Sequence, residues 1–151
     1  YGYREIIKQD VLDYFEGRTI NLHISLLPWN RGMDPNFWSF MENTPKGVTI
    51  HYLDRGVDTG DIIAQKELVF DLKQETLASS YQKLQEEMVQ LFYENWESIY
   101  SGTCDRFSQQ GEGTFHFGKD KEPYLYLLTN GWDTPVSVLD SFRLSQISVE
   151  S

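Results

Sequence analysis

Cysteine is nearly absent from this sequence: Cys104 stands alone among 151 residues. One thiol cannot close an internal disulfide, so the fold must be held by its core, and a reduced thiol suits an intracellular protein. Cations are scarce too, 13 Lys and Arg against 23 Asp and Glu, a formal net charge of −10. That balance argues against nucleic acid or an anionic membrane as the main partner, because both reward basic surface. No apolar run approaches the ~20 residues a membrane helix needs, and no signal peptide is visible. There is no glycine-rich phosphate loop and no Gly-x-Ser-x-Gly nucleophile elbow. The three histidines and single cysteine lack metal-ligand spacing. The expectation is a cytoplasmic protein with no nucleic acid, membrane or metal partner.

What is present can build a core. Hydrophobic residues make up 40% and aromatics 15%, enough for one domain of this length. Residues 5–15 carry Ile6, Ile7, Val11, Leu12 and Phe15 at helical spacing, with Gly17 as a stop. Residues 19–25 read as a strand, with Ile20, Leu22 and Ile24 on one face and Asn21 and His23 on the other. Residues 26–33 form a loop punctuated by Pro28 and Gly32. Asp34 or Asn36 then caps a short helix through Trp38, Phe40 and Met41, with Pro35 in its first turn.

The stretch 47–53 (GVTIHYL) alternates β-branched and aromatic residues and is the best strand; 61–70 returns as another. Residues 77–99 predict a long helix whose stripe is Leu77, Tyr81, Leu84, Met88, Leu91 and Trp96, with Thr76 as N-cap and Gly102 as stop. A short strand is expected over 114–117, another element from Lys119, and an amphipathic segment over 136–142 before a polar tail. Strands alternating with helices make the class α/β, with a partial mixed sheet and flanking helices. Residues 1–102 are read as the catalytic part and 103–151 as a C-terminal extension.

The chemistry concentrates between Ile20 and Asp61. A strand has a side-chain period of two, so Asn21 and His23 share a face, a neutral donor beside a titratable imidazole. The Pro/Gly loop that follows places them near a strand's C-terminal end, where open α/β sheets hold ligands. Asp58 lies in Gly56-Val57-Asp58-Thr59-Gly60, where flanking glycines let the backbone fold tightly and present the carboxylate. An ionised Asp there can orient a histidine and favour its charged form. The three side chains are expected to converge. His51 and His116 read as structural, and Cys104 as no nucleophile.

Asn21-Leu22-His23-Ile24-Ser25-Leu26-Leu27-Pro28 followed by Val57-Asp58-Thr59-Gly60 resembles the formyltransferase superfamily, whose pattern is Asn-x-His-x-Ser-Leu-Leu-Pro and then Val-Asp-Thr-Gly. Trp29-Asn30-Arg31-Gly32, Pro35-Asn36-Phe37-Trp38-Ser39, Gly111-Glu112-Gly113-Thr114-Phe115-His116 and Asp133-Thr134-Pro135 resemble its sugar-nucleotide branch. The resemblance implies the C-terminal half of a Rossmann-like domain that moves a formyl group from 10-formyltetrahydrofolate to a primary amine of a nucleotide-linked amino-dideoxy sugar. It implies that Asn21 holds the formyl oxygen, His23 assists that charge and moves the amine's proton, and Asp58 positions His23 or a water. Arg4, Ile6, Asp54, Val57 and Asp58 would wall the folate pocket; Trp29, Arg31 and Asn36 would touch the sugar nucleotide.

In the family roughly three βα units precede the YGYR position. Their absence here leads to the expectation of a fragment or shortened product, a homo-oligomer joined through an exposed sheet edge or residues 107–142, with little turnover alone. Other readings stay open: a deformylating hydrolase, or a non-catalytic module that dimerises or binds a partner. A tRNA acceptor is disfavoured by the charge of −10.

Overall fold

The computed structural model describes residue 2, residues 5–15 and residues 17–149. Its elements run α1 (Gln9–Tyr14), β1 (Ile20–His23), β2 (Arg31–Gly32), α2 (Pro35–Met41), β3 (Gly47–Tyr52), β4 (Ile62–Glu67), α3 (Leu77–Ser101), β5 (Phe115–His116) and α4 (Val136–Val149). Two 3₁₀ segments, Gly118–Leu127 and Gly131–Asp133, connect β5 to α4. The result is the expected α/β class with a mixed set of strand pairings. β1, β3 and β4 form one antiparallel sheet in that order, while β2 and β5 pair in parallel as a separate ribbon.

Alternation along the strands sorts the sheet into two faces. Val48 and Ile50 of β3 and Ile63 of β4 are buried with Leu84, Met88 and Leu91 of α3, and Ile20, Leu22 and Ile24 pack against the same cluster. The opposite face carries Asn21, His23, Thr49 and His51, because Asn21 pairs across with His51 and His23 with Thr49. A second core joins Phe37, Trp38, Phe40 and Met41 of α2 to Leu77, Leu127, Val136 and Leu139. The stretch Asn36–Met41 is therefore buried residue by residue.

α3 is delimited as its caps require. Thr76 Oγ1 accepts the Ser79 N–H at 3.0 Å while Ser79 Oγ accepts the Thr76 N–H at 2.9 Å. Gly102 ends the helix at φ 70°, a left-handed conformation that favours glycine. The stripe is shorter than the periodicity predicts. Leu77, Ser80, Leu84, Met88 and Leu91 are buried, but Tyr81 and Trp96 are about half exposed. Toward the C-terminus the partly buried positions that pack against the sheet cluster are Phe92 and Ile99 rather than Trp96.

Three further expectations are corrected. The first helix is only Gln9–Tyr14, with Leu12 its single buried residue and Val11 and Ile6 exposed. Its apolar spacing finds no complementary core among the described residues. Asp34 occupies the N-cap position of α2 but caps nothing with its side chain; it has φ 54° and pairs with Lys121 at 2.7 Å instead. The last segment does not stop at residue 142: α4 continues to Val149, since no Pro or Gly interrupts it. Among the described residues no helix is long and apolar enough to cross a membrane.

Leu84, 1% exposed, lies at the centre of the α3–sheet contact. Leu84→Ala should lower the unfolding free energy by ~2–5 kcal/mol in urea titrations. Tyr93→Ala, on the exposed flank of the same helix, should change it by no more than about 0.5 kcal/mol.

Candidate active site

The site begins at the polar face of β1 and β3. The turn leaving β1 is pinned there: Thr49 Oγ1 donates to the Ser25 carbonyl at 2.7 Å and accepts the Leu27 N–H at 3.2 Å, and Ser25 Oγ donates to the Trp29 carbonyl at 2.7 Å. The next residue, Asn30, is fully buried. Its side-chain nitrogen donates to Thr44 Oγ1 at 2.7 Å, and its backbone N–H donates to Thr114 Oγ1 at 2.8 Å. These bonds aim the Asn30 carbonyl at His23 Nε2, 2.9 Å away.

The loop between β3 and β4 brings Asp58 over this face. Asp54 Oδ1 accepts the Gly56 N–H at 2.9 Å and the Thr59 hydroxyl at 2.6 Å, which closes the turn. The flanking glycines serve space rather than backbone conformation. A Cβ on Gly60 would sit 1.8 Å from the Tyr52 carbonyl oxygen, and one on Gly56 2.0 Å from Thr59 Oγ1. The left-handed residue is Asp58 itself, at φ 55°, a conformation costing about 1–3 kcal/mol for a non-glycine residue.

That strained backbone sets the Asp58 carboxylate at the centre of four groups. Oδ1 accepts from Asn21 Nδ2 at 3.3 Å and lies 3.4 Å from His51 Nε2. Oδ2 accepts the Gly32 N–H at 2.9 Å and lies 3.6 Å from His23 Nδ1. The structure thus brings Asn21, His23 and Asp58 together, and adds His51, which is completely buried. The sequence expectation that His51 is structural is corrected by this placement beside Asp58. The signal for it was present: in GVTIHYL it shares the polar face with Thr49, and antiparallel pairing sets that face beside Asn21 and His23. His116, also read as structural, stacks on Trp38 at 3.8 Å and lies 3.1 Å from Glu42 Oε1.

Proton positions follow from the partners. A carbonyl only accepts, so His23 Nε2 carries a hydrogen toward Asn30 and His51 Nδ1 carries one toward the Tyr52 carbonyl at 2.8 Å. Each ring then turns its other nitrogen to Asp58. In neutral His51 that nitrogen accepts from Asn21 Nδ2 at 3.4 Å, the amide's second hydrogen serving Asp58. In neutral His23 the Nδ1 lone pair is free to take a proton beside a carboxylate. Burial pushes His23 below its ordinary value, opposed by the Asp58 charge and the Asn30 carbonyl. Burial pushes Asp58 upward, but the His51 hydrogen bond, the His23 charge and the Gly32 N–H outweigh it and hold the carboxyl at about 2. At neutral pH the site therefore pairs an ionised Asp58 with an uncharged His23, the arrangement of a general base with a carboxylate behind it.

The remaining expected residues scatter. Arg4 lies outside the described residues. Ile6 is 84% exposed, and Asp54 and Val57 sit on the exposed part of the Asp58 loop. Trp29 is half-buried where the turn is tied down. The Arg31 guanidinium is held by Gln109 and by the Glu112 carbonyl. Asn36 is buried, its Nδ2 donating to the Leu77 carbonyl and Ser80 Oγ, both at 3.0 Å. Its amide thus anchors α3 to α2, and a substrate contact through it would require breaking both bonds. A cavity of about 480 Å³ lies beside Ile24, Asp34, Pro35, Phe37, Tyr81 and Trp132, and none of the four clustered residues lines it. Among the described residues no group of three His, Cys, Asp or Glu side chains is arranged to hold a metal.

Residues 1–95 match the family described as formyl transferase. The methionyl-tRNA formyltransferase of Agathobacter rectalis is 36% identical over 116 residues, 76% of this chain and 37% of that protein. The dTDP-4-amino-4,6-dideoxyglucose formyltransferase of Mycobacterium bovis is 33% identical over 105 residues, 70% of this chain and 44% of that protein. The crystal structure of the formyltransferase PseJ from Anoxybacillus kamchatkensis, in complex with UDP-4,6-dideoxy-4-formamido-L-AltNAc and tetrahydrofolate, superposes with a TM-score of 0.89 at 53% identity, covering 92% of this chain and 73% of that one. The chain spans about two fifths of the length of the curated relatives it matches.

The titrations have defined signs. Asp58 is held at about 2 against an ordinary 3.8, so its contribution to stability is complete above about pH 4 and is lost as pH falls through about 2. The stability difference between the wild type and Asp58→Asn should shrink by about 2 kcal/mol across that window in pH-dependent urea unfolding. His23 is lowered, so its contribution is present above about pH 6.5 and is lost as pH falls toward its folded value. An imidazole NMR titration should find its midpoint below 6.5.

Proposed function

From the premise that this chain belongs to the formyl transferase family, we propose that it transfers a formyl group from 10-formyltetrahydrofolate to the amine of a nucleotide-linked amino-dideoxy sugar. The observation that carries the reading is the Asp58 carboxylate held between His23, His51 and Asn21, beside an uncharged His23 Nδ1. The sugar-nucleotide acceptor is supported by the 53% identity to PseJ and its sugar-nucleotide complex. The net charge of −10 speaks against tRNA as the acceptor, although a methionyl-tRNA formyltransferase is among the relatives.

The roles follow from the hydrogen bonds. Attack by the amine forms a C–N bond and moves charge onto the formyl oxygen. Asn21 Nδ2 meets that oxygen. Its present bonds, at 3.3 and 3.4 Å, are long ones that a developing oxyanion displaces. His23 takes the amine's proton at Nδ1, where the Asp58 carboxylate 3.6 Å away stabilises the imidazolium. The proton then passes to the departing folate nitrogen, which leaves the site in its starting state. His51, anchored on the Tyr52 carbonyl, accepts from the Asn21 amide at 3.4 Å and so orients the group that donates to Asp58 Oδ1. The exposed 54–57 loop, with Asp54 and Val57, forms one side of the folate approach, and Trp29 and Arg31 face the sugar nucleotide.

The same reading makes residues 1–102 the catalytic part and 103–151 an extension. It takes the protein as cytoplasmic and as a homo-oligomer. The second edge of β1, which has no partner strand among the described residues, supports a contact between copies.

An assay of the polypeptide carrying these residues tests this, with 10-formyltetrahydrofolate and UDP- or dTDP-linked amino-dideoxyhexoses as substrates and mass spectrometry for the formamido sugar. Asn21→Ala and His23→Ala should each lower kcat by ~10²–10³. Wild-type rates in His23→Ala would remove it from the mechanism, and formylation confined to a tRNA acceptor would overturn the substrate assignment.

A further inference from the structure

Gln109 belongs to no motif and lies in the polar stretch between β4's neighbour Phe107 and β5, yet its amide has every hydrogen-bonding position filled. Nε2 donates to the Asp58 carbonyl at 2.8 Å and to the Gly60 carbonyl at 2.9 Å. Oε1 accepts from Arg31 Nε at 3.0 Å and Arg31 Nη2 at 2.7 Å. The chemistry of the partners dictates this orientation: a guanidinium only donates and backbone carbonyls only accept, so the amide cannot be turned over. Arg31 is in turn fixed by a third bond, from Nη1 to the Glu112 carbonyl at 3.2 Å.

These bonds bear on the most strained part of the site. Asp58 has φ 55°, a conformation that L-residues rarely adopt, and in it the carboxylate faces His23, His51 and Asn21. One amide nitrogen drawing in the carbonyls of residues 58 and 60 sets the orientation of the peptide planes on both sides of Thr59. The same clamp reaches the other side of the carboxylate, because Arg31 is followed by Gly32, whose N–H donates to Asp58 Oδ2 at 2.9 Å. Arg31 and Gly32 form β2, which is paired to β5. Gln109 therefore ties β2 to the Asp58 loop and closes a ring: Arg31, Gln109, the Asp58 backbone, the Asp58 carboxylate, Gly32.

We propose that Gln109 is a positioning residue for Asp58, holding its backbone in the left-handed conformation that aims the carboxylate at the two histidines. The proposal rests on the formyl-transfer reading for its kinetic consequence and on the hydrogen-bond ring for its structural one. Arg31 then acts as the anchor of the clamp, which explains why so much of its guanidinium is engaged within the protein.

Two variants separate the possibilities. Gln109→Glu keeps the Arg31 pairing and loses both donations to the loop; Gln109→Leu loses everything. In both, hydrogen exchange at the Gly32 amide should accelerate about tenfold or more, and the His23 titration should move down as Asp58 withdraws. In the formyl-transfer assay kcat should fall by up to ~10²-fold with KM for both substrates little changed. The acid limb of the pH–rate profile should shift to lower pH, since His23 loses the Asp58 charge that opposes the effect of burial on it. Gln110→Leu, whose parent side chain bonds the Ser108 carbonyl and no other group among the described residues, should behave as wild type. Unchanged Gly32 exchange and an unchanged His23 titration in Gln109→Glu would overturn the proposal, as would a rate loss that tracks only the unfolded fraction with the pH profile unmoved. Should no formyl transfer be detected at all, the functional reading fails while exchange and titration still decide the role of Gln109. Should Gln109→Leu not fold, Gln109→Glu decides alone.

Discussion

The Asp58 carboxylate is the interaction on which the rest of this structure depends. It is nearly buried, its side chain only 11% exposed, and it remains ionised because the Asn21 amide and the Gly32 N–H donate to it and two imidazoles that can take up a proton face it. A buried charge without such partners would be neutralised or would destabilise the fold by several kcal/mol. Three separate pieces of chain must therefore converge: β1 with Asn21 and His23, β3 with His51, and β2 with the Gly32 N–H. Their convergence also forces the 56–60 loop into close contact with the end of β3, which explains why glycine is required at Gly60.

The hydrophobic architecture holds these pieces at fixed separations. α3 packs its Leu84, Met88 and Leu91 ridge on one face of the antiparallel sheet, and the opposite face is thereby left for polar side chains. α2 is buried from Asn36 to Met41 against the C-terminal segment, and Asn36 bridges it to the first turn of α3. The polar layer above the sheet is closed by Asn30, Thr44, Thr49 and Thr114, each bonded to another part of the chain. Such a network is rigid when fully satisfied, and here it orients the carbonyl that decides the tautomer of His23.

This division of labour separates residues that a motif reveals from residues that only packing reveals. Asn21, His23 and Asp58 lie in recognisable patterns. Asn36 and Arg31 lie in patterns too, but their polar groups are engaged by the protein itself. Gln109 lies in none and His51 only in the alternation of β3, and both touch Asp58. A pattern reports residue type and spacing, whereas engagement depends on what stands opposite, and that partner is often dozens of positions away: Asn36 to Ser80, Arg31 to Gln109, Asn30 to Thr114.

The sequence by itself determined the α/β class, the three main strands, the caps of α3 and the sharing of one face by Asn21 and His23. These are consequences of local geometry: period two in a strand, 3.6 in a helix, and side chains that bond their own backbone at a terminus. Tertiary structure alone decided the antiparallel order of the sheet, and with it the entry of His51 into the site, because register is a relation between strands. It decided that Tyr81 and Trp96 fall outside the core while Phe92 and Ile99 pack against it, and that Val11 and Ile6 are exposed with no core to join among the described residues. It also decided that Asp58, rather than a glycine, takes the positive φ. That conformation is unfavourable locally and exists only because donors from β1, β2 and the Gln109 loop meet the carboxylate and its backbone at once.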